Sequence, residues 1–468
     1  MNNDLRLLLA KPAVVPPLEP NFRPISLGNR KYRQAVAKAS KKEPLGLALE
    51  RNDGCISVFK TEVFSPGSEY DQDTLVYIER LVKFLLWQKG GWKLTVAGPE
   101  QIGKGIQKIY SDKGGRAFDV DLMGRVYEKS FVVEVVPFNQ LPKQHESAMA
   151  LGGHMEGCRI GFDLGASDYK ISAVKDGEAV FTTELPWDPK VEPDPSFHYR
   201  KINEGLKLAA SHLPRVDAIG GSSAGIIINN KVKVASLFRA VPKDLFEKKV
   251  RNIFMDLQKE WGIPFEVAND GDVTALAGGL SLKAHSVLGV AMGSSEAAGF
   301  LDNEGRITGW LNELAFAPVD YQPNGPADEW SKDLGVGAQY FSQQAVVRLA
   351  PVAGIQLPEG HQAVQLKFVQ DLHKKGDKRT RQIFETIGVY LGYALAHYAD
   401  MYGCKHLLIL GRVTSGEAGD IIIKRAREVL ETEFPEYAKT LELHLPDEKS
   451  KRVGQAVAAA SLPETAKK

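Results

Sequence analysis

Apolar residues along this chain come in short bursts, some alternating with polar positions and some continuous, separated by stretches of helical spacing. Residues 45–64, "LGLALERNDGCISVFKTEVF", hold two such bursts around Asn-Asp-Gly, which predicts a tight hairpin. A helix (74–90), a strand (93–98) and another helix follow. The rhythm restarts at Arg159: residues 159–187 read as three short strands with turns at Gly165–Asp168 and Lys175–Gly177. A proline-rich loop then leads to a helix from Tyr199 to His212 and a strand at 216–223. Residues 265–280, "FEVANDGDVTALAGGL", pass from a buried strand directly into an alanine-rich helix.

The segment 286–310 reads as two strands with turns, and 362–402 as mostly helix. A strand (406–411), a helix (417–434), a strand (440–445) and a final helix (451–462) complete the pattern. Strand meanders that lead repeatedly into helices predict α/β layers with mixed sheets. Residues 45–150 and the stretch from Arg159 begin alike, so the first is expected to be a degenerate copy of the second. Residues 1–44, rich in proline and lysine, are expected to form an irregular leader.

Composition narrows the function classes. A length of 468 residues allows two or three domains, and 43% hydrophobic with 25% charged residues is ordinary for a globular protein. A net charge of +1 gives no field for nucleic acid or an anionic membrane. The longest apolar stretch, 387–402, is broken by His397 and Asp400 and reads as a core helix. The N-terminus lacks the features of a signal peptide. Cys55, Cys158 and Cys404 are odd in number and far apart, which fits reduced thiols in the cytoplasm and excludes a cysteine-built zinc site. No two histidines stand at metal-ligand spacing with a third ligand near them in the sequence.

Five stretches have the residue types for phosphate or proton chemistry. "GPEQIGKG" (98–105) has P-loop spacing, but Gly105 stands where the magnesium-binding hydroxyl belongs; the competing reading is a strand-to-helix turn. "FDLGASDYK" (162–170) ends a strand with a carboxylate and a small-residue turn, suited to phosphate and Mg²⁺ or simply to a hairpin. "VAMGSSEAAGFLDNEG" (290–305) lets two strands approach a bulky anion, or packs a core tightly. "LLILGRVTSGEAGD" (407–420) is a strand–loop–helix that suits a nucleotide. In 265–280, Asp270 could take a proton from a hydroxyl, or Asp270 or Asp272 could merely cap the helix.

The order of these motifs, with "IGGSSAG" (219–225) and "NELAFAPVD" (312–320) between them, resembles that of the ROK family, which holds bacterial sugar kinases and related repressors of the actin-like ATPase superfamily. The resemblance spans about Arg159 to Leu462. It implies duplicated RNase H-like lobes with mixed five-stranded sheets, at 158–285 and 286–468; residues 45–150, which it does not cover, read as an additional N-terminal α/β domain. It implies Mg²⁺-ATP as cofactor. Asp163, Gly165, Ser167 and Lys170 would serve the first phosphate loop, Asp163 acting on Mg²⁺ indirectly. Gly293, Ser294 and Ser295 fall in the second phosphate loop and Gly411 in the adenosine loop. Asp270 matches the catalytic base; Asn269, Glu313, Ser223 and Gly225 fall where the sugar binds.

Phe316 replaces the family's zinc- and sugar-binding histidine, and Val336 and Ala338 stand where a cysteine and a sugar-binding glutamate align. No zinc is therefore expected, and Glu296 in the second phosphate loop would repel phosphates unless it faces elsewhere. The leading reading is a cytoplasmic ATP-dependent kinase for a sugar or polyol hydroxyl, with no nucleic-acid or membrane partner and with homodimerisation left open. The alternative is a non-catalytic ROK-like sensor or scaffold. A repressor would need an N-terminal helix-turn-helix, and residues 45–140 read as hairpin, helix and strand.

Overall fold

The computed structural model describes residues 5–146, 151–165, 168–445 and 448–465. Three sheets organise them. The first joins β1 (Lys42–Glu50), β2 (Ile56–Phe64), β3 (Lys93–Ala97) and β4 (Val132–Val136) in the order β2-β1-β3-β4. The second contains β5 (Cys158–Leu164), β6 (Asp168–Lys175), β7 (Glu178–Pro186) and β8 (Ala218–Ser223). After a separate two-stranded ribbon, β9 (Ile226–Ile228) and β10 (Lys231–Val234), the strand β11 (Phe265–Asn269) completes it in the order β11-β8-β5-β6-β7. The third is β12 (Val287–Met292), β13 (Glu296–Phe300), β14 (His406–Leu410) and β15 (Glu442–His444), in the order β13-β12-β14-β15.

The first lobe thus has the expected five strands, but the second has four. Its third meander strand shrinks to a single bridge between Leu301 and Ile307. The N-terminal sheet is not a copy of either lobe. In the lobes, β8 runs parallel to β5 and β14 parallel to β12, whereas β3 is antiparallel to β1. Parity explains the difference. A three-strand meander followed by a helix returns the chain in its starting direction, while the two-strand hairpin β1–β2 followed by the helix Asp71–Lys89 returns it reversed.

The leader is also more regular than its prolines suggest. A helix spans Ile25–Lys38 and buries Ile25, Tyr32 and Val36 on one face. Tyr32 stacks on Tyr77 at 4.3 Å, and its hydroxyl pairs with Thr74 Oγ1 at 2.8 Å. Ahead of it, residues 13–22 form a strap along the second lobe's longest helix, Lys378–Tyr402. Val14 N–H donates to Tyr393 Oη and Leu18 N–H to Thr386 Oγ1, both at 3.2 Å, while Phe22 packs among Tyr340, Tyr390 and Tyr393.

The cores follow this division. Phe162, Ile171, Leu206, Phe254 and Phe265 form a core inside the first lobe. The core of the second lobe continues without a break into the leader and the N-terminal sheet. The final helix, Glu448–Ala460, crosses back to lie on β5 and β8. Gly161 and Gly220 permit that approach: a Cβ on them would stand 1.8 Å from the Ala456 carbonyl oxygen and 1.7 Å from that of Ala459. No helix among the described residues is long and apolar enough to cross a membrane.

Candidate active site

The parallel strands β5, β8 and β11 end side by side, and their register places Asp163 opposite Ser222 and Ser223 opposite Asn269. Ser222 Oγ donates to Asp163 Oδ1 at 2.8 Å, and Lys170 Nζ stands 4.0 Å from the other oxygen. Burial nevertheless holds the Asp163 carboxyl above its ordinary range. Asn269 closes β11 and begins the helix Asp270–Leu282. Its Oδ1 accepts from Gly271 N–H at 2.7 Å, and its Nδ2 donates to the Gly225 carbonyl at 2.8 Å. Asn269 is therefore the helix cap, a role that the sequence offered to Asp270 or Asp272.

With the cap supplied by its neighbour, Asp270 is left for other work. Its carboxylate accepts from the Gly271 N–H at 3.0 Å. Burial, reinforced by the charge of Asp163, pushes its pKa up to about 6. Asp272 is buried, accepts from Asn312 Nδ2 at 3.0 Å and is pushed up to about 7, chiefly by burial. Glu313 reaches about 8, through burial first and then the charges of Asp270 and Asp272. The expected base and the expected Glu are thus electrostatic neighbours although 43 positions separate residues 270 and 313.

Glycines let the lobes meet here. A Cβ on Gly271 would stand 2.1 Å from the Ala298 carbonyl oxygen, and one on Gly299 the same distance from that of Gly271. The start of the helix Asp270–Leu282 therefore rests on β13, whose hairpin carries the expected second phosphate loop. Gly293 N–H donates to the Ser295 carbonyl at 3.0 Å, which closes that loop and leaves Ser294 and Ser295 exposed. Gly411, at φ 107°, ends β14 against β12, where a Cβ would lie 2.4 Å from the Met292 carbonyl oxygen. The two expected second-lobe nucleotide loops are therefore adjacent. Asp163, Gly165 and Lys170 stand on the first lobe, and Ser167 lies outside the described residues.

Glu296 neither faces the phosphates nor points outward. It is buried, accepts from Tyr398 Oη at 3.0 Å, and burial pushes it up to about 8, which leaves it mostly uncharged at neutral pH. Ser223 is buried beside Asn269, and Gly225 contributes its carbonyl. The P-loop spacing at 98–105 is consumed by structure: Gly103 and Gly105 lie inside the helix Glu100–Ile109, and Lys104 pairs with Glu100 at 2.7 Å on its exposed face.

The N-terminal region supplies part of the site, which the sequence did not reveal. The carbonyls of Trp87 and Gln88, at the end of the helix Asp71–Lys89, accept from Glu313 and Asn312 N–H at 3.0 Å each. Phe316 is buried against Trp87, with ring centroids 4.3 Å apart. Val336 and Ala338 are buried as well. A cavity of about 170 Å³ opens where the three sheets' segments meet, lined among others by Asn52, Tyr127, Ile226, Asn269, Asp272 and Trp310. Asp270, Asp163 and Glu313 do not line it. Asn52 Oδ1 and Tyr127 Oη are buried without a hydrogen-bond partner.

No protein-family model matches the chain, and no curated protein does. Solved structures do. A ROK hexokinase from Thermus thermophilus is 16% identical, with a TM-score of 0.51 over 64% of this chain and 97% of that one. A ROK family glucokinase from Streptomyces griseus, in complex with glucose and AMPPNP, is 21% identical, with a TM-score of 0.50 over 65% and 99%. A ROK family transcriptional regulator, a homolog of the E. coli MLC protein, is 19% identical, with a TM-score of 0.51 over 66% and 79%. The chain has the fold of these ROK family structures.

Proposed function

We propose that the chain is an ATP-dependent kinase acting on a hydroxyl of a sugar or sugar-like polyol, with Asp270 as general base. The observation that carries this reading is the state of Asp270. It is a carboxylate with a pKa of about 6, placed at the junction of the lobes and accepting from the Gly271 N–H. Such a group is ionised at neutral pH and basic enough to take a hydroxyl proton as phosphoryl transfer proceeds. Asn269, fixed at both ends of its amide, presents the remaining lone pair of Oδ1 to a substrate hydroxyl. Glu313, uncharged at about pH 7, can donate to an adjacent hydroxyl as well as accept from it.

Asp163 and Lys170 would receive the phosphates of ATP, with Gly293–Ser295 and Gly411 as the facing loops. The hard oxygens of Asp163 fit a hydrated Mg²⁺, which would neutralise phosphate charge. The cavity beside Asn269 would take the part of the substrate remote from the reacting hydroxyl. There Asn52 and Tyr127 offer it the two unpartnered oxygens. The lobes are taken as 158–285 and 286–468, with the N-terminal region built onto the second.

Burial of Phe316, Val336 and Ala338 favours a second reading, a ligand-binding protein without turnover. Calorimetry with Mg²⁺-ATP separates the two: a kinase binds it, and a protein that has lost the reaction does so weakly or not at all. A screen of sugars and polyols for ADP release then identifies the acceptor, and Asp270→Ala abolishes that release while leaving the fold intact.

A further inference from the structure

β14 and β15 run parallel at the edge of the second lobe's sheet, with His406 opposite Glu442 and Leu408 opposite His444. Alternation along β15 puts Glu442 and His444 on one face, and the register puts His406 on the same face. His406 Nδ1 and His444 Nε2 are 3.3 Å apart, and Glu442 Oε2 stands 3.5 Å from the first and 3.7 Å from the second. A tetrahedral ion with bonds of about 2.0–2.1 Å holds its donors roughly 3.3 Å apart, whereas the adjacent donors of an octahedral ion lie at roughly 3.0 Å. The observed triangle has the tetrahedral size. Two imidazoles and a carboxylate are also the donor set of zinc sites that keep a fourth position for water.

We propose that His406, Glu442 and His444 bind a zinc ion that staples β15 to β14. The strand β15 has only three residues and lies at the sheet's edge, so its ladder alone holds it weakly. The Arg427 guanidinium supports it from the neighbouring helix by donating to the Leu443 carbonyl at 3.2 Å. His406 opens β14 and Gly411 follows its last residue, so the metal sits at the end of the strand away from the nucleotide loops. The role is structural. The segment it pins feeds the final helix, which lies on the first lobe, so the ion anchors the chain's return crossing between lobes.

The test uses the full chain, stripped with a chelator and titrated with ZnCl₂ by calorimetry and with CoCl₂ by visible absorption. One zinc per chain is expected, together with the intense visible bands of tetrahedral cobalt, which zinc bleaches. His406→Ala and His444→Ala each weaken zinc binding by about 100-fold or more, and Glu442→Gln by at least about 10-fold. His361→Asn, on the cap of the helix Gln362–Lys374 and outside the cluster, changes nothing. Absence of stoichiometric zinc binding, a pale octahedral cobalt spectrum, or an affinity untouched by His444→Ala would each overturn the proposal. The cobalt spectrum needs no variant, so a destabilised mutant does not blunt the test.

Discussion

The two lobes share a strand–helix order but bury their apolar faces differently. In the first, Phe162, Ile171, Leu206 and Phe265 close on one another beneath five strands. In the second, four strands and the helix Lys378–Tyr402 share one core with the leader helix and with the helix Asp71–Lys89. The difference teaches that the N-terminal region shares its core with the second lobe and not with the first. Its contact also holds a buried charge cluster. Arg80 makes two hydrogen bonds to Asp333 at 2.8 and 3.2 Å, and Arg116 reaches the same carboxylate at 2.7 Å and Glu79 as well. Lys83 holds Asp119 at 2.9 and 3.0 Å and lies 3.3 Å from Asp333. Against the effect of burial, Arg80, Lys83 and Arg116 keep Asp333 well below the usual carboxylate range.

The sharpest way to break this arrangement is Asp333→Ala, which leaves buried cations without their shared partner. Urea unfolding should show a loss of about 3–5 kcal/mol. An unchanged midpoint would mean that the cluster does not hold the N-terminal region in place. A paired core truncation sharpens the contrast. Phe162→Ala and Phe316→Ala should each cost about 3–4 kcal/mol, but hydrogen exchange should separate them. The first loosens the first lobe alone, while the second loosens residues 74–90 along with residues 312–340. The smallest effect concerns pH. Burial raises Glu296 and Glu313 to about 8, so the folded state holds more protons than the unfolded chain above about pH 4.5. Their contribution is full below that pH and is lost as pH rises through about 8. Glu296→Gln should flatten part of that decline in a thermal-denaturation series.

Where local chemistry decides, the sequence was readable. The meander 159–187, the strand-to-helix passage at 265–280 and the glycine at 411 all stand where side-chain pattern and turn residues indicated. Contacts across long separations were not readable. Asp270 and Asp272 looked as fit to cap the helix as Asn269, and the Gly225 carbonyl, 44 positions away, fixes Asn269 in that place. The prolines before residue 25 masked a helix whose buried face is satisfied by Tyr77 and by the second lobe. His406 and His444 are 38 positions apart, and Glu442-x-His444 becomes a ligand pair only when β15 settles beside β14. The degenerate copy expected of residues 45–150 failed because a two-strand hairpin leaves β3 antiparallel to β1.

The central claim is that Asp270 takes the proton from an acceptor hydroxyl. Its direct test is sugar-dependent ADP release from Mg²⁺-ATP, followed against pH in the wild type and in Asp270→Ala. The account predicts a kcat/KM that rises with pH through about 6, as Asp270 loses its proton, and a fall of roughly 10²–10⁴-fold in the variant at unchanged thermal stability. An undiminished rate in Asp270→Ala, or no release with any sugar or polyol, would contradict it.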